Sequence, residues 1–247
     1  MLKKFINIFL NYFGYKISKN KIYSFDHIYS YFLKNPLIID VGANEGQSVT
    51  RFLRIFPKAK IHCFEPVLES YNILKKNYNE NKNIFFNNSG LSYKKEKKQI
   101  NVFQGTPNSS FNKPIKDSFW EKKKKTLFKT DNLIKNTQIV FMTTIDDYID
   151  KKNIKSIDLL KIDTQGYENY VLKGCANTFK KNIVKFVEIE LIMGNQYKNR
   201  LNIIDLEKYL IKNNFRLYGV NQYGDLLNKP DMSFDLLYIN TTFINIH

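Results

Sequence analysis

Short apolar runs alternate along the chain with stretches whose apolar positions recur at helical spacing. Residues 37–41 (Leu-Ile-Ile-Asp-Val) have the length and content of a buried strand, followed by a glycine-containing turn and a helix through Phe52, Leu53 and Phe56 that Pro57 stops. The same pattern predicts strands at 61–64 and 84–86 with a helix over 68–78 between them. Further strands are predicted at 157–162 and 184–190, separated by a helix from Tyr167 to Leu172 that ends near Gly174. A helix over 203–213 and strands near 215–220 and 234–239 complete the series. Strands alternating with helices imply a doubly wound, mostly parallel sheet.

Two stretches depart from this rhythm. Residues 2–13 place Leu2, Phe5, Ile6, Phe9, Leu10 and Phe13 on one helical face, with Lys3, Lys4, Asn7 and Asn11 turned away. Residues 1–30 are therefore read as an amphipathic extension and 31–247 as the main domain. The extension could pack on its own domain, on a second subunit, or peripherally on a membrane through its phenylalanines and cationic side. Residues 92–142 form a long insertion between the third and fourth parallel strands. It holds strand-like runs at 99–103 and 138–142 around a polar middle with Lys122-Lys123-Lys124-Lys125. Such a segment is a lid or a solvated charged surface.

Composition narrows the class. The 247 residues are 43% hydrophobic and 25% charged, enough apolar material for a core, which excludes a disordered or fibrous chain. The two cysteines, Cys63 and Cys175, show neither metal spacing nor a disulfide framework, and fit a reducing cytoplasm. No apolar run approaches the roughly 20 residues of a membrane span. The Met1-Leu2-Lys3-Lys4 start imitates a signal peptide, but no small-residue cleavage site follows, so it is expected to be retained. A net charge of +16 admits a phosphate-bearing partner; lysines scattered by base composition explain it equally well.

Asp40-Val41-Gly42-Ala43-Asn44-Glu45-Gly46 stands between a strand and a helix, the context of a nucleotide-binding turn. Gly42 permits the tight turn and Gly46 a helix starting close to the sheet. The spacing is neither that of the dinucleotide fingerprint nor that of a Walker loop. At the end of the second strand comes Phe64-Glu65-Pro66, where a carboxylate can accept both hydroxyls of a ribose.

These segments, with Thr144-Ile145-Asp146-Asp147, the stretch from Leu159 to Glu168 and the serine-bearing Asn108-Ser109-Ser110, resemble the FkbM family of S-adenosylmethionine-dependent methyltransferases over about residues 37 to 195. The resemblance implies a Rossmann-like methyltransferase fold, with a seven-stranded sheet whose antiparallel last strand is 234–239. It implies S-adenosylmethionine as cofactor and O-methylation of a sugar or natural product. Gly42, Ala43, Asn44 and Gly46 are then expected to face the methionine part, Asp40 to receive its amino group directly or through water, Glu65 to hold the ribose, and Asn87, Asn88 and Ser89 to meet the adenine. Where the family has Glu-Gly this chain has Gln165-Gly166, so no carboxylate role transfers there.

Methyl transfer to a hydroxyl needs in-line alignment and a proton acceptor at the carboxyl ends of the strands. Asp163 is the first candidate and Glu190 the second, since Glu188 and Glu190 share one strand face and Glu190 lies nearer the crevice. Asp163 could instead cap the following helix. Asp163, Gln165 and Glu190 could alternatively hold Mg²⁺ or Ca²⁺. The expected function is methylation of a hydroxyl on a nucleotide- or lipid-linked sugar in surface-polysaccharide or natural-product synthesis. Nucleic-acid methylation is the rival enzyme reading, against which stand the missing Asn/Asp-Pro-Pro-Tyr/Phe tetrapeptide and RNA-binding module. A non-catalytic scaffold in a glycan-assembly complex is the third.

Overall fold

The computed structural model of the protein describes residues 24–104, 109–225 and 229–244, with backbone alone for 223–225 and 229–232. The chain divides into two units, residues 1–32 and 33–247. In the first, helix α1 (Phe25–Phe32) starts at Ser24, whose hydroxyl accepts the His27 backbone N–H at 3.2 Å. The amphipathic stretch at 2–13 lies outside the described residues.

The second unit opens as the alternation predicts: β1 (Leu37–Val41), α2 (Gln47–Ile55), β2 (Lys60–Phe64), α3 (Leu68–Tyr78) and β3 (Ile84–Asn87). The insertion follows as β4 (Gly90–Leu91), β5 (Glu96–Phe103), α4 (Phe119–Phe128) and β6 (Ile134–Thr143). The rest is α5 (Ile145–Lys152), β7 (Ile157–Ile162), α6 (Glu168–Lys173), α7 (Ala176–Lys180), β8 (Val184–Ile192), α8 (Ile203–Ile211), β9 (Phe215–Asp225) and β10 (Lys229–Asn240). Seven strands form one sheet in the order β3-β2-β1-β7-β8-β10-β9. Strand β10 runs antiparallel to both its neighbours, so the expected antiparallel last strand is present, wedged between β8 and β9.

The parallel strands are apolar on both faces because both are covered. Ile38, Ile39 and Val41 of β1, Leu159, Leu160 and Ile162 of β7, and Val187 and Ile189 of β8 are all buried. Phe179, Leu206 and Leu210 from the helices join part of this core. Register then aligns the charged exceptions. Asp40 pairs with Lys161 and Lys161 with Glu188, so three ionisable residues stand in one row across β1, β7 and β8. Two residues further along β8, Glu190 is opposite Asp235 of β10.

The insertion departs from the polar loop expected in its middle. Its arms β5 and β6 are longer than the runs predicted, pair antiparallel and join β4 in a second, three-stranded sheet. The lysine-rich middle is a helix whose cap is reciprocal: Ser118 accepts the Glu121 N–H and Glu121 accepts the Asp117 N–H. Only Trp120 of this helix is buried, so no apolar stripe announced it. Helix α5 was likewise hidden inside a motif. Thr144 is its N-cap, and Asp146 accepts N–H groups from Asn177 and Thr178 to start α7. No helix among the described residues is long and apolar enough to cross a membrane.

Candidate active site

A cavity of about 680 Å³ opens at the carboxyl ends of β1, β2, β7 and β8, under the insertion, where ligands bind in open α/β sheets. Its first wall is the turn after β1. Gly42 has φ of +86°, and a Cβ built on it would overlap the carbonyl oxygen of Asp163. The glycine thus lets the turns after β1 and β7 touch, and the Asp163 N–H donates to the Val41 carbonyl at 3.0 Å. Gly42, Ala43 and Asn44 line the cavity. The Gly42 and Ala43 N–H groups both donate to the Phe64 carbonyl.

Glu65 lines the same cavity, 6% exposed. Its carboxylate accepts the Asn44 N–H at 2.9 Å and the Val67 N–H at 2.7 Å, tying together the turns after β1 and β2. Burial pushes its pKa from the ordinary 4.5 to about 7, against the pull of those two hydrogen bonds.

The other residues predicted to hold a cofactor do not reach the cavity. Gly46 lies behind it with φ of +103°, pressed against Tyr78 and Leu74 as α2 begins. Asp40 is fully buried; the Ser48 hydroxyl donates to it and the Lys161 ammonium stands 4.0 Å away, while its Oδ1 has no hydrogen-bond partner. Ser48 and Lys161 are the residues that face the cavity there. The Asn88 side-chain amide donates to the Glu65 and Pro66 carbonyls, and Asn87 donates to the Cys63 carbonyl, so both brace the chain. Neither they nor Ser89 line the cavity, whose apolar part beside Glu65 comes from Val67, Leu91 and Ile100.

Asp163 and Glu190 meet across the Gln165 amide, which donates to Asp163 at 3.1 Å and to Glu190 at 2.9 Å. Their environments are opposite. Burial opposes the charge on Asp163, but the Lys161 ammonium at 3.1 Å, with the Gln165 donor, holds its pKa below the usual carboxylate range. Burial raises the pKa of Glu190 well above that range, and the charges of Asp163, Glu168 and Asp235 add to the rise. Lys161 thus favours the charged form of Asp163, and burial the neutral form of Glu190. Burial disfavours the Lys161 charge as well, yet Asp163, Asp40 and Glu188 together keep it protonated.

The remaining acids at the site hold structure. Glu188 makes a two-pronged ion pair with Arg51 at 2.6 and 3.1 Å. Glu168 accepts the N–H groups of Thr164 at 2.9 Å and Gly166 at 3.0 Å, closing the turn in which Gln165 has φ of +52° and Gly166 +91°. Burial raises its pKa to about 6. This turn, rather than a helix cap made by Asp163, starts α6. Among the described residues no group of three or more His, Cys, Asp or Glu side chains could hold a metal ion, and Gln165 bridges the two acids with its N–H donors.

The turn after β1, the acid closing β2 and the loop after β7 all fall within residues 40–217, the span matched by the family model described as the methyltransferase FkbM domain. The chain belongs to this family. It is 30% identical over 156 residues to methyltransferase sdnD of Sordaria araneosa, covering 57% of this chain and 60% of that protein. It is 24% identical over 174 residues to the 2-O-methyltransferase NoeI of Sinorhizobium fredii, covering 68% of each. The chain thus spans about 60% of the length of sdnD. Among solved structures, an rRNA methylase from Streptococcus thermophilus superposes with a TM-score of 0.49 at 9% identity, covering 91% of this chain and 98% of that one.

Several residues lining the cavity were not singled out by sequence reasoning: Gln47, Ser48, Arg51, Lys161 and Asp235. A signal existed for two of them. Lys161 interrupts Leu-Leu-Lys-Ile and Asp235 interrupts Phe-Asp-Leu, and a charge inside a buried strand needs a partner or a function.

Proposed function

We propose that the protein transfers a methyl group from S-adenosylmethionine to a hydroxyl oxygen of a sugar or glycan precursor, with Glu190 as the proton acceptor. The observation that carries this reading is the convergence of the Gly42–Asn44 turn, Glu65 and the Asp163/Glu190 pair on one cavity. The donor fits the residues present. Each Glu65 oxygen accepts one backbone N–H and keeps a lone pair for a ribose hydroxyl. The patch of Val67, Leu91 and Ile100 suits a flat heteroaromatic ring. When bound, S-adenosylmethionine supplies an electrophilic methyl group on a positively charged sulfur.

The chain's own groups divide the remaining work. Asp163, kept ionised by Lys161, is a fixed negative charge beside the reacting centre. Its side chain is 37% exposed, so it is within reach of a ligand. Burial favours the neutral form of Glu190; a cation in the cavity favours loss of that proton to solvent, and the carboxylate so formed can take the acceptor's proton. The opposite environments of the two acids support Glu190 ahead of Asp163 as the proton acceptor, whereas position on the strands alone favours Asp163. The name of NoeI, a 2-O-methyltransferase, supports oxygen as the acceptor atom.

Calorimetric titration with S-adenosylhomocysteine, with and without EDTA, tests the donor half. A methyl-donor assay across nucleotide sugars, simple glycans and RNA then tests the acceptor. Micromolar binding that survives EDTA, followed by methylation of a sugar, is the expected result. No binding refutes the donor assignment and moves the chain to a scaffold role; methylation of RNA alone refutes the sugar.

A further inference from the structure

A lysine inside a buried strand is held charged only by its partners. Lys161 of β7 lines the cavity, and the two acids nearest its ammonium on that side are unequally served. Its Nζ is bonded to Asp163 Oδ2 at 3.1 Å but stands 4.0 Å from Asp40 Oδ1, about 1 Å beyond a hydrogen bond. Asp163 has a second donor in the Gln165 amide, and its side chain is 37% exposed. Asp40 is fully buried. Ser48 donates to its Oδ2, and among the described residues its Oδ1 has no hydrogen-bond partner. Glu188, the third acid in the row, already holds Arg51 by two bonds.

The ammonium therefore sits on the acid that needs it less. A buried carboxylate oxygen without a donor is costly, because no solvent replaces the missing bond, whereas an exposed one is hydrated. A cation entering the cavity reaches Asp163 and not Asp40, which Ser48 and Lys161 screen. Once Asp163 is neutralised, the newcomer repels Lys161 and the orphaned Oδ1 attracts it, over a distance that the torsions of a lysine side chain can cover. We propose that Lys161 is a movable counter-ion that makes the cavity selective for a cationic donor. A ligand with an added positive charge takes Asp163 and sends the ammonium onto Oδ1 of Asp40; a ligand without it leaves Lys161 on Asp163. S-adenosylmethionine carries one positive charge more than S-adenosylhomocysteine, on its sulfur, so the arrangement favours the donor over the spent by-product. The assignment rests on the S-adenosylmethionine reading above for the identity of the cation, and on β1 and β7 alone for the travel of the lysine.

Crystal structures of the full chain with sinefungin, which has an ammonium group at the place of the sulfonium, and with S-adenosylhomocysteine read the lysine directly. The expected result is Lys161 Nζ within about 3.2 Å of Asp40 Oδ1 in the first complex and still on Asp163 in the second. Calorimetry reads the same device as an affinity. Asp40→Asn keeps the shape and removes the receiving charge, so it should weaken sinefungin about tenfold, the scale of one charge-assisted hydrogen bond, and S-adenosylhomocysteine by no more than about twofold. Equal losses for both ligands make Asp40 purely structural and overturn the proposal, as does a lysine in the same place in both complexes. Should Asp40→Asn fail to fold, the two complexes of the parent decide. If neither ligand binds, the donor reading falls and the selectivity with it; if both bind and the lysine stays, the donor reading stands and the movable counter-ion alone falls.

Discussion

Replacing Gly42 by alanine adds one methyl group at the point where the turns after β1 and β7 touch. Alanine at φ of +86° costs about 1–2 kcal/mol by itself. The new Cβ would also overlap the Asp163 carbonyl oxygen and lie 3.0 Å from its carbon, so the two turns must separate by on the order of 1 Å. That movement strains the Gly42 N–H to Phe64 bond and the Asp163 N–H to Val41 bond, both 3.0 Å, each worth about 1 kcal/mol net. The expected loss is about 3–5 kcal/mol, or roughly 10 °C in Tm for a chain of this size. The displaced turn also carries the Asn44 N–H away from Glu65, so affinity for S-adenosylhomocysteine should fall at least about tenfold. Thermal melts followed by circular dichroism, with calorimetry at a temperature where the variant is folded, measure both quantities. A Tm within about 2 °C of the parent, with unchanged affinity, would refute the claim that this contact sets the geometry of the cavity.

Glu190→Gln should lower the turnover number by about 10²–10⁴ and leave S-adenosylhomocysteine binding intact, read by single-turnover assay beside calorimetry. Asp163→Asn should instead lose stability as well, about 1–3 kcal/mol by urea unfolding, because Lys161 is left with Asp40 at 4.0 Å. Arg51→Met should cost roughly 3 kcal/mol by removing the two-pronged partner of the buried Glu188 carboxylate; adding Glu188→Leu should recover most of it, and additive losses in the double-mutant cycle would deny the pair. Glu168→Ala removes the acceptor of the Thr164 and Gly166 N–H groups and should cost about 2–4 kcal/mol in the same unfolding assay. Glu65 has its pKa raised to about 7 in the folded chain, so the native state binds more protons than the unfolded one above pH 4.5. Its contribution to stability is full below that pH and is lost as pH rises through 7. The stability of the parent relative to Glu65→Gln should therefore fall by on the order of 2–3 kcal/mol between pH 4.5 and 8, and a flat difference would show that Glu65 ionises normally.

The alternation of apolar runs and helical stretches by itself determined the doubly wound, mostly parallel α/β architecture, because strands buried on both faces must be continuously apolar while their covering helices are not; the seven-stranded sheet with its antiparallel strand came from the family resemblance. The turn of Gly42 to Asn44 and the acid at Glu65 were legible for a related reason: a tight turn at a strand end admits few residue types. Tertiary structure decided what each charged side chain touches. Asp40 belongs to the same motif as Gly42, yet it is buried beneath Ser48 and Lys161, which share its side of the sheet and stand between it and the cavity. Asn88 follows its strand as expected but is bound to the carbonyls of Glu65 and Pro66, partners more than twenty residues away in sequence. The opposite surroundings of Asp163 and Glu190 were beyond any local pattern. They depend on Lys161 being 3.1 Å from one of them and on Asp235 pairing in register beside the other, and strand register becomes fixed only when the whole sheet assembles. The helix of the insertion was hidden because a single buried tryptophan holds it, and that tryptophan meets its packing partners, Phe103 and Tyr197, from two distant parts of the chain.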